Sequence, residues 1–219
     1  MLVVLQGVLD EAALPRVRAG LAEAVWRDGK LSAGSAARTV KNNEQAALDA
    51  ERQALLELVR EALARHPVFP AAACLAGSMR MLFSRYHAGM AYGRHTDDAV
   101  MGEGTSRLRT DLALTLFLAD PAAYEGGALV LHGPAGEMRL KLAAGDAVLY
   151  AAGALHEVEP VTAGERLAVV GWGQSLVRDA GAREILFDLA CVRRTIADPE
   201  ALLLLDKTFS NLLRRWAEV

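Results

Sequence analysis

Cysteine is scarce: Cys74 and Cys191 are the only two in 219 residues. They are too far apart for metal-ligand spacing and too few for a disulfide framework, so both are expected as reduced thiols in a cytosolic protein. Long apolar runs are also missing, and nothing approaches the roughly 18 consecutive apolar residues of a membrane span. The opening MLVVLQGVLD lacks a basic n-region and reaches Asp10 before its apolar run is long enough for a signal peptide. Neither sign of charge dominates. Lys and Arg number 24 against 27 Asp and Glu, for a formal net charge of -3, and the basic residues are scattered, which excludes an electrostatic footprint for nucleic acid. There is no internal repeat, and no low-complexity segment beyond Ala-rich patches. These absences leave a soluble, cytoplasmic protein with no membrane or nucleic-acid partner, acting on a small molecule or on a peptide or protein.

What is present divides into three zones. The length suits one β domain with helical additions, since such domains run to about 200 to 250 residues. Residues 1–76 read as an N-terminal helical support region. Leu14, Val17, Leu21, Ala24 and Val25 recur at helical spacing after a capping Asp10, and Leu55, Leu56, Val59 and Leu63 repeat the pattern until His66-Pro67 stops it. Between these helices, RDGKLSAGSAARTVKNN (27–43) reads as a loop, either functional or a mobile connection. From 77 to 175 the texture changes to short β-prone runs: MRMLFSRYH, DLALTLFLA, GALVLHG, EMRLKL, AVLYAAG, LHEVEPV and RLAVVGWG. Turn signals at Glu125-Gly126-Gly127, Gly133-Pro134, Gly145-Asp146 and Ala163-Gly164 separate them. That pattern predicts a sandwich or open barrel, mainly β with flanking helices. Residues 176–219 form a C-terminal helical extension, with Asp198 capping and Pro199 at the first helical position. Its apolar stripe of Leu202, Leu205, Phe209, Leu212, Leu213 and Trp216 would pack on the barrel or on a second subunit as a homodimer.

Within the β zone, YGRHTDDAV places His95 and Asp97 two apart, on one face of an extended segment, with Thr96 turned away. Imidazole nitrogen and carboxylate oxygen both suit a divalent first-row metal. Two donors do not make a useful site without a third. His66 at a helix end and His87 outside the alternation read as surface or core residues, and His132 sits beside a turn. His156 follows the AAGA loop, where a side chain can face the barrel mouth. Two histidines and one carboxylate would take one face of an octahedral iron(II) and leave three positions open, as in non-heme oxygenases. Such a site needs an electron source. 2-Oxoglutarate is one, and its far carboxylate is best gripped by a guanidinium. Arg166 is available, ten residues after His156. If the chain turns at Ala163-Gly164, however, Arg166 pairs near Val161, about 16 Å from His156 along a flat strand, so spacing leaves it between a clamp and a surface ion pair.

The stretches RYHAGMAYGRHTD, RTDLALTLFLADPAAYEGGALVL, KLAAGDAVLYAAGALHEVEPVTAGERLAVVGWGQSLVRD and ILFDL resemble the bacterial PKHD-type hydroxylases. These are iron(II)- and 2-oxoglutarate-dependent dioxygenases named for a prolyl/lysyl-hydroxylase-like domain. WRDGKLSAG, KNNEQ and LLRRWAE extend the resemblance over nearly the whole chain. It implies a double-stranded β-helix (jelly roll) core, with His95, Asp97 and His156 as iron ligands and Arg166 as the partner of the 2-oxoglutarate carboxylate. It places Tyr86 where related prolyl hydroxylases carry a tyrosine near the cosubstrate, at a slightly different spacing. It also implies ascorbate as the reductant that restores oxidised iron. Asp98 departs from the expected Asn, and its opposite-facing position favours Asp97 as the ligand. Arg109 and Asp111 either point toward the substrate or form a structural ion pair at a strand start, and Trp172, with Trp26 and Trp216, reads as packing. The activity expected is hydroxylation of a prolyl/lysyl-type or small-molecule substrate by O2, with 2-oxoglutarate converted to succinate. The competing readings are a non-catalytic β-barrel that senses iron or 2-oxoglutarate, and a cupin-like metalloenzyme of another class.

Overall fold

All six residues of Leu112–Phe117 are buried, the mark of a strand covered on both faces. Leu112, Leu114 and Leu116 face one apolar cluster with the helices; Ala113 and Phe117 face another, with residues of a second sheet. A computed structural model describing residues 1–32 and 34–218 shows how the chain builds these layers.

In chain order the elements begin with β1 (Leu2–Leu5), α1 (Ala13–Ala22), β2 (Trp26–Asp28), α2 (Ser35–Arg38), β3 (Lys41–Asn42), β4 (Glu44–Ala46), α3 (Ala50–Arg65) and α4 (Phe69–Ala73). The β zone holds β5 (Arg80–His87), β6 (Ala91–His95), β7 (Val100–Met101), β8 (Leu108–Arg109), β9 (Leu112–Phe117), β10 (Tyr124–Gly126), β11 (Leu129–Gly133), β12 (Gly136–Leu140), β13 (Ala147–Ala151), β14 (Leu155–Val158) and β15 (Val161–Gly173). The helices α5 (Ala180–Arg193) and α6 (Pro199–Trp216) follow.

The larger sheet has eight strands, in the order β1-β13-β9-β15-β5-β4-β2 with β10 also paired to β15; the smaller has five, β12-β11-β14-β6-β3. Pairing is antiparallel throughout the described ladders. The chain passes from sheet to sheet, β5 to β6 and then β12 to β13, β14 and β15, which is the winding of a jelly roll. Strand alternation then assigns every side chain a layer. On β15, Val169 faces the helices, whereas Arg166, Val170 and Trp172 line the space between the sheets. On β5, Met81 and Phe83 face out and Ser84 and Tyr86 face in.

Helices α1, α3 and α4 bury Val17, Leu21, Leu55, Leu56, Val59, Leu63 and Phe69 against the larger sheet, each worth about 1.5–3 kcal/mol by transfer. α3 begins at Asp49, whose carboxylate accepts from Arg52 N at 2.9 Å, and ends at Arg65, before His66-Pro67. Asp198 caps α6, accepting from Ala201 N at 2.9 Å. Phe209, Leu212, Leu213 and Trp216 of its stripe pack on Val177, Ala182 and Leu186 of the same chain.

Three local expectations change. The segment 27–43, expected as a loop, contains the end of β2, a 3-10 turn at Gly29–Ser32, α2 and β3; Ala33 lies outside the described residues. Strands of two or three residues are too short to display alternation, so the polar composition alone was visible. The four-residue β1 and the shorter β2–β4 likewise escaped a reading of the N-terminal region as helical. Finally, Ala163-Gly164 is not a turn: both lie within the 13-residue β15, and Arg166 pairs with Tyr86 of β5 rather than folding back near Val161.

Gly164 is nevertheless a demanding position. Its φ is +73°, and a Cβ there would stand 2.2 Å from the Ala123 carbonyl oxygen. Gly164→Ala should therefore cost about 2–3 kcal/mol, measured as a lower urea midpoint at unchanged m. An unshifted midpoint would show that the β10–β15 pairing tolerates a side chain.

Candidate active site

Register brings the two histidines together. His156 on β14 is the cross-strand partner of His95 on β6, and both project into the space between the sheets. Their ring centroids lie 4.3 Å apart. Asp97 follows β6 in extended chain, its amide directed at the Ala152 carbonyl at 3.4 Å, and its Oδ2 sits 3.9 Å from His156 Nε2. One donor atom from each residue falls within 4.8 Å of the others, a grouping that could hold a metal ion.

The nitrogens are assigned by their partners. His95 Nδ1 donates to the Gly93 carbonyl at 2.8 Å and His156 Nδ1 donates to the Ala154 carbonyl at 2.9 Å. Carbonyl oxygens only accept, so Nδ1 carries the proton in each ring and the Nε2 lone pairs are left for a ligand. Burial, with the neighbouring His156, lowers the pKa of His95 to about 4, so its imidazole is neutral at physiological pH. Burial also raises the pKa of Asp97, against the opposing influence of His156 and a hydrogen bond from the Trp172 side chain. Asp97 Oδ2 has no hydrogen-bond partner among the described residues. A buried carboxylate oxygen without a partner, facing two imidazole lone pairs, is the donor set that a divalent cation completes.

Arg166 lies on the opposite sheet, in the same cavity. It is 1% exposed, and its Nε and Nη1 have no hydrogen-bond partner among the described residues. Its guanidinium carbon stands 5.2 Å from the Tyr86 ring centroid and 5.4 Å from that of Phe117. Gly127 keeps this end open, since a Cβ there would meet the Arg166 stem at 3.2 Å. Tyr86 is buried beside Ser84 and Asn43, and burial raises its phenol pKa. Among the described residues, four of the five buried side-chain atoms without a partner belong to Asn43, Asp97 and Arg166, all lining this one cavity. Such a concentration marks a place built for something other than protein.

Other candidates fall elsewhere. His66 closes α3 and His87 lies between Glu44 and Glu165. His132 sits between Glu137 and Glu157, at 3.2 Å from each. Asp98 is exposed, with its carboxylate against Gly34. Arg109 and Asp111 pair at 2.9 Å and tie Glu218 and Ser175 to the barrel, a structural ion pair. Trp172 was expected as packing; it lines the cavity and reaches Asp97. Also unanticipated were Lys41, Asn43 and Gln45, which line the cavity at alternate positions of KNNEQ, while Asn42 binds the Gly89 carbonyl and Glu44 pairs with Arg85. The available signal was that period of two, which five residues spread over two short strands displayed too briefly.

Comparison with known proteins places the fold and the family. The family model of the 2OG-Fe(II) oxygenase superfamily matches residues 81–174. The chain is similar to a PKHD-type hydroxylase of Maricaulis maris (48% identity over 222 residues) and to one of Synechococcus elongatus (44% over 223), with all of each chain covered. Among solved structures it resembles a Pseudomonas putida prolyl-4-hydroxylase, with TM-score 0.58, 20% identity, and coverage of 80% of this chain and 92% of that one. It also resembles a Trichoplax adhaerens prolyl hydroxylase in complex with a peptide fragment of the hypoxia inducible factor oxygen degradation domain, with TM-score 0.59, 15% identity, and coverage of 78% and 82%.

Proposed function

Because the chain belongs to the PKHD-type hydroxylases of the 2OG-Fe(II) oxygenase superfamily, we propose that His95, Asp97 and His156 hold its iron(II) and that Arg166, with Tyr86 beside it, holds the far carboxylate of 2-oxoglutarate. The protein is an iron(II)- and 2-oxoglutarate-dependent dioxygenase that hydroxylates a substrate with O2. The observation that carries the residue roles is the pair of unsatisfied groups at the two ends of one cavity, Asp97 Oδ2 and the Arg166 nitrogens.

When bound, iron(II) and 2-oxoglutarate together supply the oxidising chemistry, with loss of carbon dioxide and formation of succinate. The chain's own contribution is placement. Gly93 and Ala154 fix the imidazole tautomers through their carbonyls, and Trp172 orients the Asp97 carboxylate. Arg166 offers its free N–H donors from an apolar recess, where a charge-assisted bond is worth more than at the surface. Tyr92 stacks on His95 at 3.5 Å between centroids and Tyr150 meets His156 edge-on at 5.3 Å, so aromatic rings exclude water from the donor set.

The substrate is a peptide side chain or a small molecule. The apolar stripe of α6 is largely consumed within the chain, which leaves Leu203 and Leu204 as the exposed apolar positions through which α6 would pair with a second copy in a homodimer. Anaerobic addition of iron(II) and 2-oxoglutarate should give a weak visible charge-transfer band. Admission of O2 with ascorbate and candidate peptides or metabolites should then release succinate above the substrate-free background. An enzyme that makes succinate yet keeps its 2-oxoglutarate affinity when Arg166 is replaced would refute the clamp assignment.

A further inference from the structure

A second recess opens beside the donor set and shares Lys41, Tyr92, Asp97 and Trp172 with the central cavity. It is lined by two cations, the buried Lys41 and the exposed Arg80, by two carboxylates, Asp97 of the donor set and the exposed Asp98, and by an apolar outer wall. Lys41, on β3, is 5% exposed. Among the described residues its Nζ has one hydrogen-bond partner, Ser32 Oγ at 3.2 Å, and it stands 5.0 Å from the Tyr92 ring centroid. No carboxylate lies within ion-pair distance of it among the described residues. Asp97, Asp28 and Asp98 act on it only from a distance, and burial lowers its pKa to about 8. Arg80 lies at the mouth, opposite Trp172 in the β5–β15 register, and its guanidinium has no partner among the described residues. Leu48 and Val100, both exposed, complete the outer wall.

A buried ammonium whose one hydrogen-bond partner among the described residues is a neutral hydroxyl is costly. That cost falls if an anion reaches the Lys41 ammonium. Cosubstrate does not answer the need, because its clamp, Arg166 with Tyr86, is on the larger sheet, whereas Lys41 pairs with Tyr92 on the smaller one. If Asp97 binds iron, its charge is committed to the metal and Lys41 loses its strongest distant counter-charge.

We propose that Lys41, assisted by Arg80, is the specificity-determining anchor for a carboxylate of the substrate, whose apolar portion lies along Leu48 and Val100. This deepens the reading given above and rests on its placement of the metal. The substrate class is an amphipathic carboxylic acid. The ammonium and guanidinium take the carboxylate, and the adjoining carbon skeleton is held over the donor set between Tyr92 and Trp172.

The test uses full-length protein loaded anaerobically with iron(II) and saturating 2-oxoglutarate, so that the Arg166 end is filled. The probes are 3-phenylpropanoate and its neutral twin 3-phenylpropanamide, read by calorimetry and by perturbation of the charge-transfer band. The acid should bind at least about tenfold tighter than the amide at low salt. Lys41→Met should abolish that preference, Lys41→Arg should restore most of it, and Arg80→Gln should reduce it, with 2-oxoglutarate affinity unchanged in all three. Melting curves identify any variant that fails to fold, in which case the Lys41→Arg and Arg80→Gln proteins carry the decision. Equal binding of the two probes, no binding of the acid at millimolar concentration, or an acid preference that survives in Lys41→Met overturns the proposal. So does a loss of 2-oxoglutarate affinity in Lys41→Met, which would make Lys41 part of the cosubstrate site. If wild-type protein shows no band before any probe is added, the metal and cosubstrate assignment has failed instead.

Discussion

Arg166→Met should melt higher than the wild type in the absence of cosubstrate and should no longer respond to 2-oxoglutarate. The guanidinium is almost completely enclosed, between the rings of Tyr86 and Phe117, and two of its nitrogens lack partners. Replacing buried charge by an apolar side chain of similar reach commonly gains about 1–4 kcal/mol. In the complex the same guanidinium would face a carboxylate, and truncating one partner of such a buried pair costs about 2–5 kcal/mol, roughly thirtyfold to several thousandfold in affinity. The two effects have opposite signs, which separates a binding role from a folding role. Melting curves with and without 2-oxoglutarate, at fixed iron(II), measure both. A cosubstrate-dependent rise in melting temperature that persists in the variant would rule out the clamp.

The second large effect belongs to Asp97. Its folded-state pKa is raised, chiefly by burial, so its stability contribution is present at acid pH and is lost as pH rises through the folded value. In metal-free protein the ionised carboxylate is therefore a cost at neutral pH, and Asp97→Asn should be at least as stable as the wild type there. Metal reverses the order. A ligand that binds only the folded state adds about 2.7 kcal/mol at a hundred times its dissociation constant, and wild type should gain this with iron(II) or manganese(II). Asp97→Asn should gain almost nothing and should release no succinate. Equal metal-dependent stabilisation of the two proteins would remove Asp97 from the donor set.

Much of the architecture was legible in the sequence. The seven β-prone runs coincide with β5, β9 and β11–β15, and both long N-terminal apolar periods with α1 and α3. These elements are long enough to repeat their period several times, and the stops at His66-Pro67 and Gly133-Pro134 are local chemistry. The elements from β2 to β4 were not legible because two or three residues cannot display a period. With them went Lys41, Asn43 and Gln45, whose inward alternation depends on β3 joining one sheet and β4 the other. The hairpin arithmetic for Arg166 failed for a related reason. It assumed that neighbours in sequence are neighbours in a ladder, whereas β14 and β15 belong to opposite sheets.

Residue type and spacing made His95, Asp97 and His156 candidates and left Arg166 between a clamp and a surface ion pair, because imidazole, carboxylate and guanidinium carry their chemistry wherever they stand; the family resemblance assigned all four. What they could not supply was the meeting of these groups in one cavity. His156 reaches His95 through a cross-strand register, and Arg166 faces them from the other sheet. Register is set by burying one face of each strand across the whole sandwich, so no local window of sequence contains it.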